Sequence, residues 1–360
     1  MVSQPLEKLR VFLSEHNLDG VLFRKRSNFS WVTGGKDNHI VLSTELGAVD
    51  LLILQEKKIC IATKMEAARI QEEELAGLGY EFVTPEWYEG QDEAIRRLCN
   101  GKRIASDVPF DGLREMGQAL AQLRYTLTRE EQVNYQWLCQ ATARAVESTC
   151  REIEPGWSEH EIAAHMAAKV LKQGIQPQVI LVSTDDRVFK YRHPIPTEKK
   201  LEKYAMLVLC GEKGGLVANV TRFVHFGPLP AELAQNRLKL AQIDAAMNAA
   251  TRPGVLIKDV FARGLEMYAE VGYPEDWRFL HQGGPTGYAS REFLAVPDVE
   301  GVVQLHQAFA WNPAIRGVKS EDTLLVGEEG NQFLTETGEW VYIEVEQNGA
   351  RYRRPDILVR

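Results

Sequence analysis

The first 125 residues alternate between helical and strand-like hydrophobic patterns. Apolar residues recur at helical spacing from Leu6 to Leu13, which predicts a first helix that ends before Gly20. The patterns that follow predict strands at 20–23, 49–54 and 59–62, a helix at 65–78 and another from residue 112 to about 123. Strands that alternate with helices predict an α/β domain over residues 1–125.

A second unit begins after residue 125, with two helices whose start signals are explicit. Thr128 and Glu131 have the spacing of a capping box, and a long helical pattern follows to Glu152. Ser158 and Glu161 repeat that signal before a helix that extends to residue 171. We therefore place the domain boundary between residues 124 and 128 and assign residues 126–360 to the second domain.

The second unit contains an internal repeat. Pro155-Gly156 and Pro253-Gly254 lie 98 residues apart, and the helix-ending Gly174 and Gly272 have the same offset. Each copy reads as a Pro-Gly pair, a helix, a glycine and then a strand. Two such halves, related by a pseudo-twofold axis, predict a sheet with helices outside it and a cleft along the axis. Two unrelated helix–strand pairs are the alternative interpretation.

Composition and charge limit the class of protein. The chain has 360 residues, of which 44% are hydrophobic and 26% charged, and only 28 are glycine. This composition excludes a disordered chain and a collagen-like repeat. The net charge of −8 argues against general nucleic-acid binding, which needs basic residues to neutralise phosphates. We expect a small-molecule substrate as the partner, with no nucleic acid and no membrane.

Cysteine spacing and the first residues bear on the compartment. The chain has five cysteines and no Cys-x-x-Cys pair, so neither a structural zinc site nor a disulfide framework is indicated. Residues 1–20 lack the apolar core of a signal peptide, and no run of 18 apolar residues occurs. A cytoplasmic protein with reduced thiols is therefore expected.

Four ordered motifs of the second unit carry a resemblance to a known family. They are Tyr-Arg-His-Pro-Ile-Pro-Thr at 191–197, Gly-Leu-Val-Ala-Asn-Val-Thr-Arg at 215–222, His-Gln-Gly-Gly-Pro at 281–285, and Trp-Asn-Pro at 311–313 with Gly-Val-Lys-Ser-Glu-Asp-Thr at 317–323. Their order and spacing resemble the creatinase, aminopeptidase P and methionine aminopeptidase family. This resemblance implies an α/β creatinase-type N-terminal domain followed by an α+β pita-bread domain with an internal pseudo-twofold repeat.

The resemblance also implies that most metal ligands of the family are replaced. Its metallopeptidases bind two metal ions through two Asp, one His and two Glu side chains. The corresponding positions here are Val208, Asn219, Pro285, Asn312 and Glu321, so that only the last keeps a carboxylate. Valine and proline offer no side-chain ligand, and asparagine is neutral. We therefore expect no metal and no other cofactor, and a dinuclear metallopeptidase is disfavoured.

Some members of the family, creatinase among them, hydrolyse a C–N bond without metal. By resemblance, His193 is the general acid/base, His281 contacts the substrate and Glu321 orients water or a histidine. Imidazole suits the first role because its unperturbed pKa lies near working pH. A histidine that caps the turn at Pro194, and a half-buried histidine within a glycine-rich turn, are the structural alternatives for His193 and His281.

Other residues are expected to bind substrate. Asn219, Thr221, Arg222 and Asn312 form a polar floor suited to a carboxylate, amide or ureido group, with a structural ion pair as the alternative for Arg222. A second family histidine is replaced by Arg291 or Glu292, depending on a one-residue gap. Cys210 has the same strand parity as Val208 and is a candidate nucleophile or simply a small buried residue. In creatinase-type homodimers the loop after a matching Thr/Ser-Gly pair enters the partner's active site, so the resemblance implies this role for the loop that holds Lys36 and His39. A simple turn at Gly34-Gly35 is the alternative.

The leading hypothesis is thus a metal-independent, creatinase-like hydrolase of a C–N bond in a small amino-acid-derived substrate, in a cytoplasmic homodimer. The first alternative is a catalytically silent protein that keeps the cleft and binds a small molecule or peptide. The second alternative is an Xaa-Pro-type aminopeptidase or dipeptidase, which the ligand replacements disfavour.

Overall fold

A computed structural model describes residues 4–360, and the chain divides into two compact units. The first extends to Tyr125 and includes Gly214–Leu216, and the second takes Thr126–Lys213 and Val217–Arg360. The first unit contains α1 (Gln4–Glu15), β1 (Gly20–Lys25), α2 (Arg26–Thr33), β2 (Leu46–Leu54), β3 (Lys58–Ile61), α3 (Lys64–Arg69), β4 (Glu81–Val83), α4 (Asp92–Cys99), β5 (Ile104–Ser106), β6 (Arg114–Glu115) and α5 (Gly117–Gln122).

The first unit is built on a six-stranded mixed sheet in the order β4-β3-β2-β1-β5-β6. The helix predicted at 65–78 is shorter in the structure. Its α-helical part, α3, ends at Arg69, and a π-helical turn at Ile70–Glu74 follows it. In that turn the Leu75 amide donates to the Ile70 carbonyl at 2.8 Å. Both side chains are buried, and the wider turn brings these residues, five apart, closer to one face.

The second unit contains more elements and two four-stranded sheets. Its elements are α6 (Arg129–Glu152), α7 (Glu159–Leu171), β7 (Gln176–Thr184), α8 (Asp186–Lys190), β8 (Tyr204–Lys213), β9 (Leu216–His225), α9 (Ala231–Ala250), α10 (Ile257–Glu270), β10 (Gly283–Thr286), β11 (Ala308–Trp311), β12 (Ala314–Ile315), β13 (Val318–Lys319), β14 (Leu324–Leu325), β15 (Gln332–Phe333), β16 (Tyr342–Gln347), β17 (Ala350–Pro355) and β18 (Leu358–Val359). One sheet has the order β18-β9-β8-β7 and the other β10-β11-β14-β15. Both contribute to one apolar core with α9 and α10.

Both predicted capping boxes are present and fix where α6 and α7 begin. The Thr128 hydroxyl accepts from the Glu131 amide at 3.2 Å, and the Glu131 carboxylate accepts from the Thr128 amide at 2.6 Å. Ser158 and Glu161 repeat both bonds at 3.2 and 2.7 Å. Each box satisfies amides that have no partner inside the helix. In residues 4–360 no helix is both long and apolar enough to cross a membrane.

The predicted repeat is visible in backbone hydrogen bonds. The Gly156 amide donates to the carbonyl of residue 201, and the Gly254 amide donates to that of residue 303. Both glycines have positive φ, +99° and +87°, which glycine adopts without the penalty of a Cβ. The residues that follow each glycine then bridge back to the same partner segments, so the two Pro-Gly turns enter α7 and α10 in the same way.

Candidate active site

Glu321 lies at the centre of a polar cluster in the second unit. Its two carboxylate oxygens are held separately: Arg291 Nη2 donates to Oε1 at 2.8 Å, while Lys319 Nζ and Thr221 Oγ1 donate to Oε2 at 2.7 and 2.8 Å. Thr221 is on β9, and its amide donates to the Glu321 carbonyl at 3.0 Å. This backbone bond aligns the 319–323 segment with β9 and places the carboxylate over that strand.

Two fixed cations determine the charge state of Glu321. Burial alone raises the pKa of this carboxyl, but the adjacent charges of Lys319 and Arg291 lower it to about 2. The carboxylate is therefore ionised at neutral pH, although only 4% of the residue is exposed. Lys319 was missed in the sequence analysis. It lies two residues before Glu321, and this spacing in an extended segment was the signal that could have found it.

The predicted histidines lie next to one another at the exposed side of the cluster. The ring centroids of His193 and His281 are 5.6 Å apart. Burial, together with the charges of Arg291 and His193, lowers the pKa of His281 to about 4. Burial and then the charge of Lys319 also lower the pKa of His193. His281 is consequently a neutral imidazole at pH 7, able to form hydrogen bonds but poorly suited to carry a proton.

The two predicted asparagines are buried with unsatisfied oxygens. Asn219 donates from its side-chain Nδ2 to the Thr286 hydroxyl at 3.0 Å. The backbone amide of Asn312 donates to the backbone carbonyl of Gln282 at 3.1 Å. The Oδ1 atoms of both asparagines have no hydrogen-bond partner within residues 4–360. The same is true of Arg291 Nε and His281 Nδ1. A buried polar atom without a partner costs free energy, so these atoms mark places where a ligand or water is needed.

Val208 and Cys210 lie on β8 and are both buried. Val208 packs in the apolar core of the unit. Cys210 lies within electrostatic range of Glu321, Arg291 and Lys319, as its strand parity predicted. However, burial, together with the charge of Glu321, raises the pKa of its thiol to about 12. A nucleophilic cysteine needs a depressed pKa, so the environment of Cys210 is that of a small buried residue instead.

Arg222 faces away from Thr221, because successive residues of a strand point to opposite sides. Its guanidinium donates to Glu147 at 3.1 Å and to Asp322 at 3.0 Å. Asp322 also pairs with Arg354 at 2.6 Å, and Arg354 in turn pairs with Asp244. This buried ion network is the structural alternative considered for Arg222, so its guanidinium is not in the floor of the site.

Arg291 and Glu292, the two candidates for the position of the second family histidine, have different partners. Arg291 bonds Glu321, whereas Glu292 accepts a hydrogen bond from the Tyr288 amide at 3.1 Å. The predicted Lys36 and His39 lie in the first unit, in the loop after α2. There His39 is held by the carboxylate of Asp37 within its own loop. A contribution of this loop to a partner's site stays a prediction.

Comparisons with known proteins identify the family to which the chain belongs. The model of metallopeptidase family M24 matches residues 134–328. The chain belongs to this family. It is 22% identical to an Xaa-Pro dipeptidase of Pyrococcus horikoshii, over 94% of this chain and 98% of that protein.

Solved structures agree on the fold. The prolidase from Pyrococcus horikoshii OT3 superposes with a TM-score of 0.79 at 18% identity, over 93% of this chain and 99% of that one. An Xaa-Pro dipeptidase from Bacillus anthracis gives 0.78 at 18% identity, over 99% of both chains. These likenesses confirm the predicted creatinase-type, pita-bread fold.

These relatives correct the leading functional hypothesis. The prediction of a metal-independent, creatinase-like hydrolase is wrong, because the family is one of metallopeptidases and the relatives are named Xaa-Pro dipeptidase. Together they indicate a hydrolase that acts on peptide C–N bonds. This confirms the expected hydrolysis of a C–N bond, and it supports the Xaa-Pro-type alternative that the sequence analysis disfavoured.

The residues at the site nevertheless do not fit a pair of divalent metal ions. Neither Val208 nor Pro285 has a ligand atom, and both oxygens of Glu321 are already bound to cationic side chains. Across residues 4–360, no group of three or more His, Cys, Asp and Glu side chains is arranged to hold a metal ion. A two-metal clamp needs several bridging oxygens, which this donor set lacks.

Proposed function

We propose that this chain recognises short peptides of the Xaa-Pro class in the pocket around Glu321. The observation that carries the proposal is a set of buried polar atoms without hydrogen-bond partners on residues that the resemblance assigns to the site. Arg291 Nε is a donor, the Oδ1 atoms of Asn219 and Asn312 are acceptors, and His281 Nδ1 takes either role according to its tautomer. A dipeptide carries a carboxylate, an amide carbonyl and an ammonium group, which supply the complementary acceptors and donors.

The relatives support the choice of peptide. Two relatives that match along nearly the whole chain, from Pyrococcus horikoshii and Pyrococcus furiosus, carry the name Xaa-Pro dipeptidase. An Xaa-Pro dipeptide has no amide hydrogen at its peptide bond, so its hydrogen-bond donors are confined to the amino end. Two neutral asparagine oxygens provide acceptors for such an end, while the arginine provides the donor for the carboxylate.

Cleavage of the same peptides is the second candidate function. It is favoured by the names of the relatives and opposed by the donor set around Glu321. In either case the chain's own residues bind and orient the peptide, and neutral His281 contributes a hydrogen bond. The two candidates differ in whether proline is released.

Calorimetric titration of the purified chain with Ala-Pro tests recognition, and chromatography of the same samples tests cleavage. Each is run in EDTA and, separately, with added Mn²⁺. Binding heat without release of proline supports recognition alone. Release of proline that depends on Mn²⁺ establishes the second candidate and overturns our reading of the donor set. An absence of binding heat for Ala-Pro, Gly-Pro and Leu-Pro under both conditions contradicts the proposal.

A control peptide tests whether the site prefers Xaa-Pro dipeptides to other dipeptides. Ala-Ala has the same charged ends as Ala-Pro but keeps an amide hydrogen at its peptide bond. We expect weaker binding of Ala-Ala, because a donor placed in the pocket without an acceptor loses its hydrogen bond to water. Equal affinity for the two dipeptides would argue for a general peptide site instead of an Xaa-Pro site.

A further inference from the structure

We infer that Lys319 and Arg291 convert this pocket into an anion site that takes a carboxylate and excludes divalent cations. The inference deepens the proposed function, since it rests on this pocket being the ligand site. It does not require the ligand to be a peptide. It concerns which charge the pocket accepts.

The charge count is the first observation. Lys319 and Arg291 are two fixed cations, and Glu321 is the carboxylate that both of them contact. The two histidines beside them have lowered pKa values and add no negative charge. The cluster is therefore net positive, although the whole chain has a net charge of −8. A divalent cation placed there would be repelled by two buried cations.

The saturation of Glu321 is the second observation. Arg291 takes one of its oxygens, and Lys319 and Thr221 share the other. Its carboxylate is thus already engaged by three donors and is poorly placed to ligate a metal ion. An anion, in contrast, finds Arg291 Nε buried and without a partner within residues 4–360. Because Nη1 of Arg291 donates to the Ser290 carbonyl and Nη2 donates to Glu321, Nε is the guanidinium nitrogen left to donate a charge-assisted hydrogen bond to a carboxylate oxygen.

The cluster is close to solvent, and the backbone of Lys319 is held in a strand pair. His193 is exposed, whereas Lys319 is only 7% exposed, so the cluster lies beneath a solvent-facing histidine. Lys319 is held by the β12–β13 pairing, in which it lies opposite Ala314. Cations fixed in this way need no reorganisation when an anion arrives, which favours binding.

Oxalate is the probe, because it is a small dicarboxylate without a peptide bond. We expect calorimetric titration to show binding to the wild type, about tenfold or more weaker binding to Lys319→Met, and tighter binding to Glu321→Gln. The opposite signs are decisive, because damage to the fold weakens binding in both variants. Lys169→Met is the matched control: it removes a lysine that pairs with Glu152 at 2.6 Å on the surface, and we expect no change.

Mn²⁺ titration followed by electron paramagnetic resonance, in samples without oxalate, is the competing measurement. Stoichiometric Mn²⁺ binding that Glu321→Gln abolishes would overturn the inference, as would oxalate binding that neither variant alters or no oxalate binding at all. The proposed function fails separately: oxalate binding with the expected signs, but no binding of Xaa-Pro dipeptides, leaves the anion site intact and refutes peptide recognition.

Discussion

Replacement of Arg222 by methionine tests whether the buried ion network holds the site in place. Arg222 is 1% exposed and donates to Glu147, Asp322 and the Thr335 carbonyl at 3.0–3.2 Å. Removing one partner of a buried ion pair costs about 3–5 kcal/mol, because a charge is left without compensation. Asp322 keeps Arg354 as a partner, so Glu147 carries most of the loss and we expect the lower end of that range.

Urea unfolding measures this change, and Arg263→Met is the matched control. Arg263 also contacts two carboxylates, Glu266 and Glu270, but on the surface of α10 with 31% of its side chain exposed. Exposed ion pairs contribute about 0–1 kcal/mol, so the control should lose little. If Arg222→Met lowers the free energy of unfolding no more than Arg263→Met does, the network does not stabilise the unit and the reasoning is refuted.

The pH dependence gives the same experiment a second readout. Burial already raises the pKa of Glu147, and Arg222 opposes that rise. Without the arginine we expect a further rise. A carboxyl with a higher pKa in the folded state binds more protons when folded, so folding becomes more favourable as pH falls. The deficit of Arg222→Met should therefore shrink between pH 8 and pH 5, while a deficit independent of pH would contradict the assignment of the lost charge to Glu147.

Three further outcomes follow from the same geometry. With a pKa of about 12, the Cys210 thiol should resist iodoacetamide at pH 7.5 until the chain is unfolded, and labelling of the native protein would contradict its burial. With a pKa of about 4, the ring of His281 should show no titration by NMR between pH 5.5 and 8, and a titration midpoint near 6.5 would refute the lowered pKa. Because the pKa is lower in the folded state, the contribution of His281 to stability is complete above pH 6.5 and is lost as pH falls toward 4. In Gly283→Ala the new Cβ would lie 2.1 Å from the Ala310 carbonyl oxygen, and the residue has a φ of +91°, so we expect this variant to disrupt folding. Gly338 has a φ of +77° but open space around it, so Gly338→Ala should lower the free energy of unfolding in urea by about 1–2 kcal/mol.

Local signals predicted much of the fold. A few adjacent residues determine each of these features: the capping boxes at Thr128 and Ser158 and the Pro-Gly turn at 155–156. In the structure the two boxes begin α6 and α7, and Gly156 has the positive φ of a turn. The motifs that contain Thr221 and Glu321 likewise name two side chains that are in hydrogen-bond contact. Short-range signals of this kind suffice where local conformation alone decides the structure.

The charge of the site could not be predicted in the same way. Arg291 lies 30 residues from Glu321, and no local pattern reveals that its guanidinium reaches that carboxylate. Arg222 is next to Thr221 in sequence, yet strand alternation sends it to the other side, into an ion network that includes Arg354. Such contacts depend on how distant segments pack, which periodicity does not encode.

The position of Arg354 has a consequence for how the protein is made. Synthesis proceeds from the amino end, so β17, which carries Arg354, is made after the segments that carry Asp244 and Asp322. Until it arrives, Asp322 and Asp244 lack the arginine that joins them, and the segment that bears Glu321 is without part of its support. The support of the Glu321 segment is therefore complete only once the strand that bears Arg354 has been made, so a nascent chain that stops before Arg354 should bind the ligand more weakly than one that includes it.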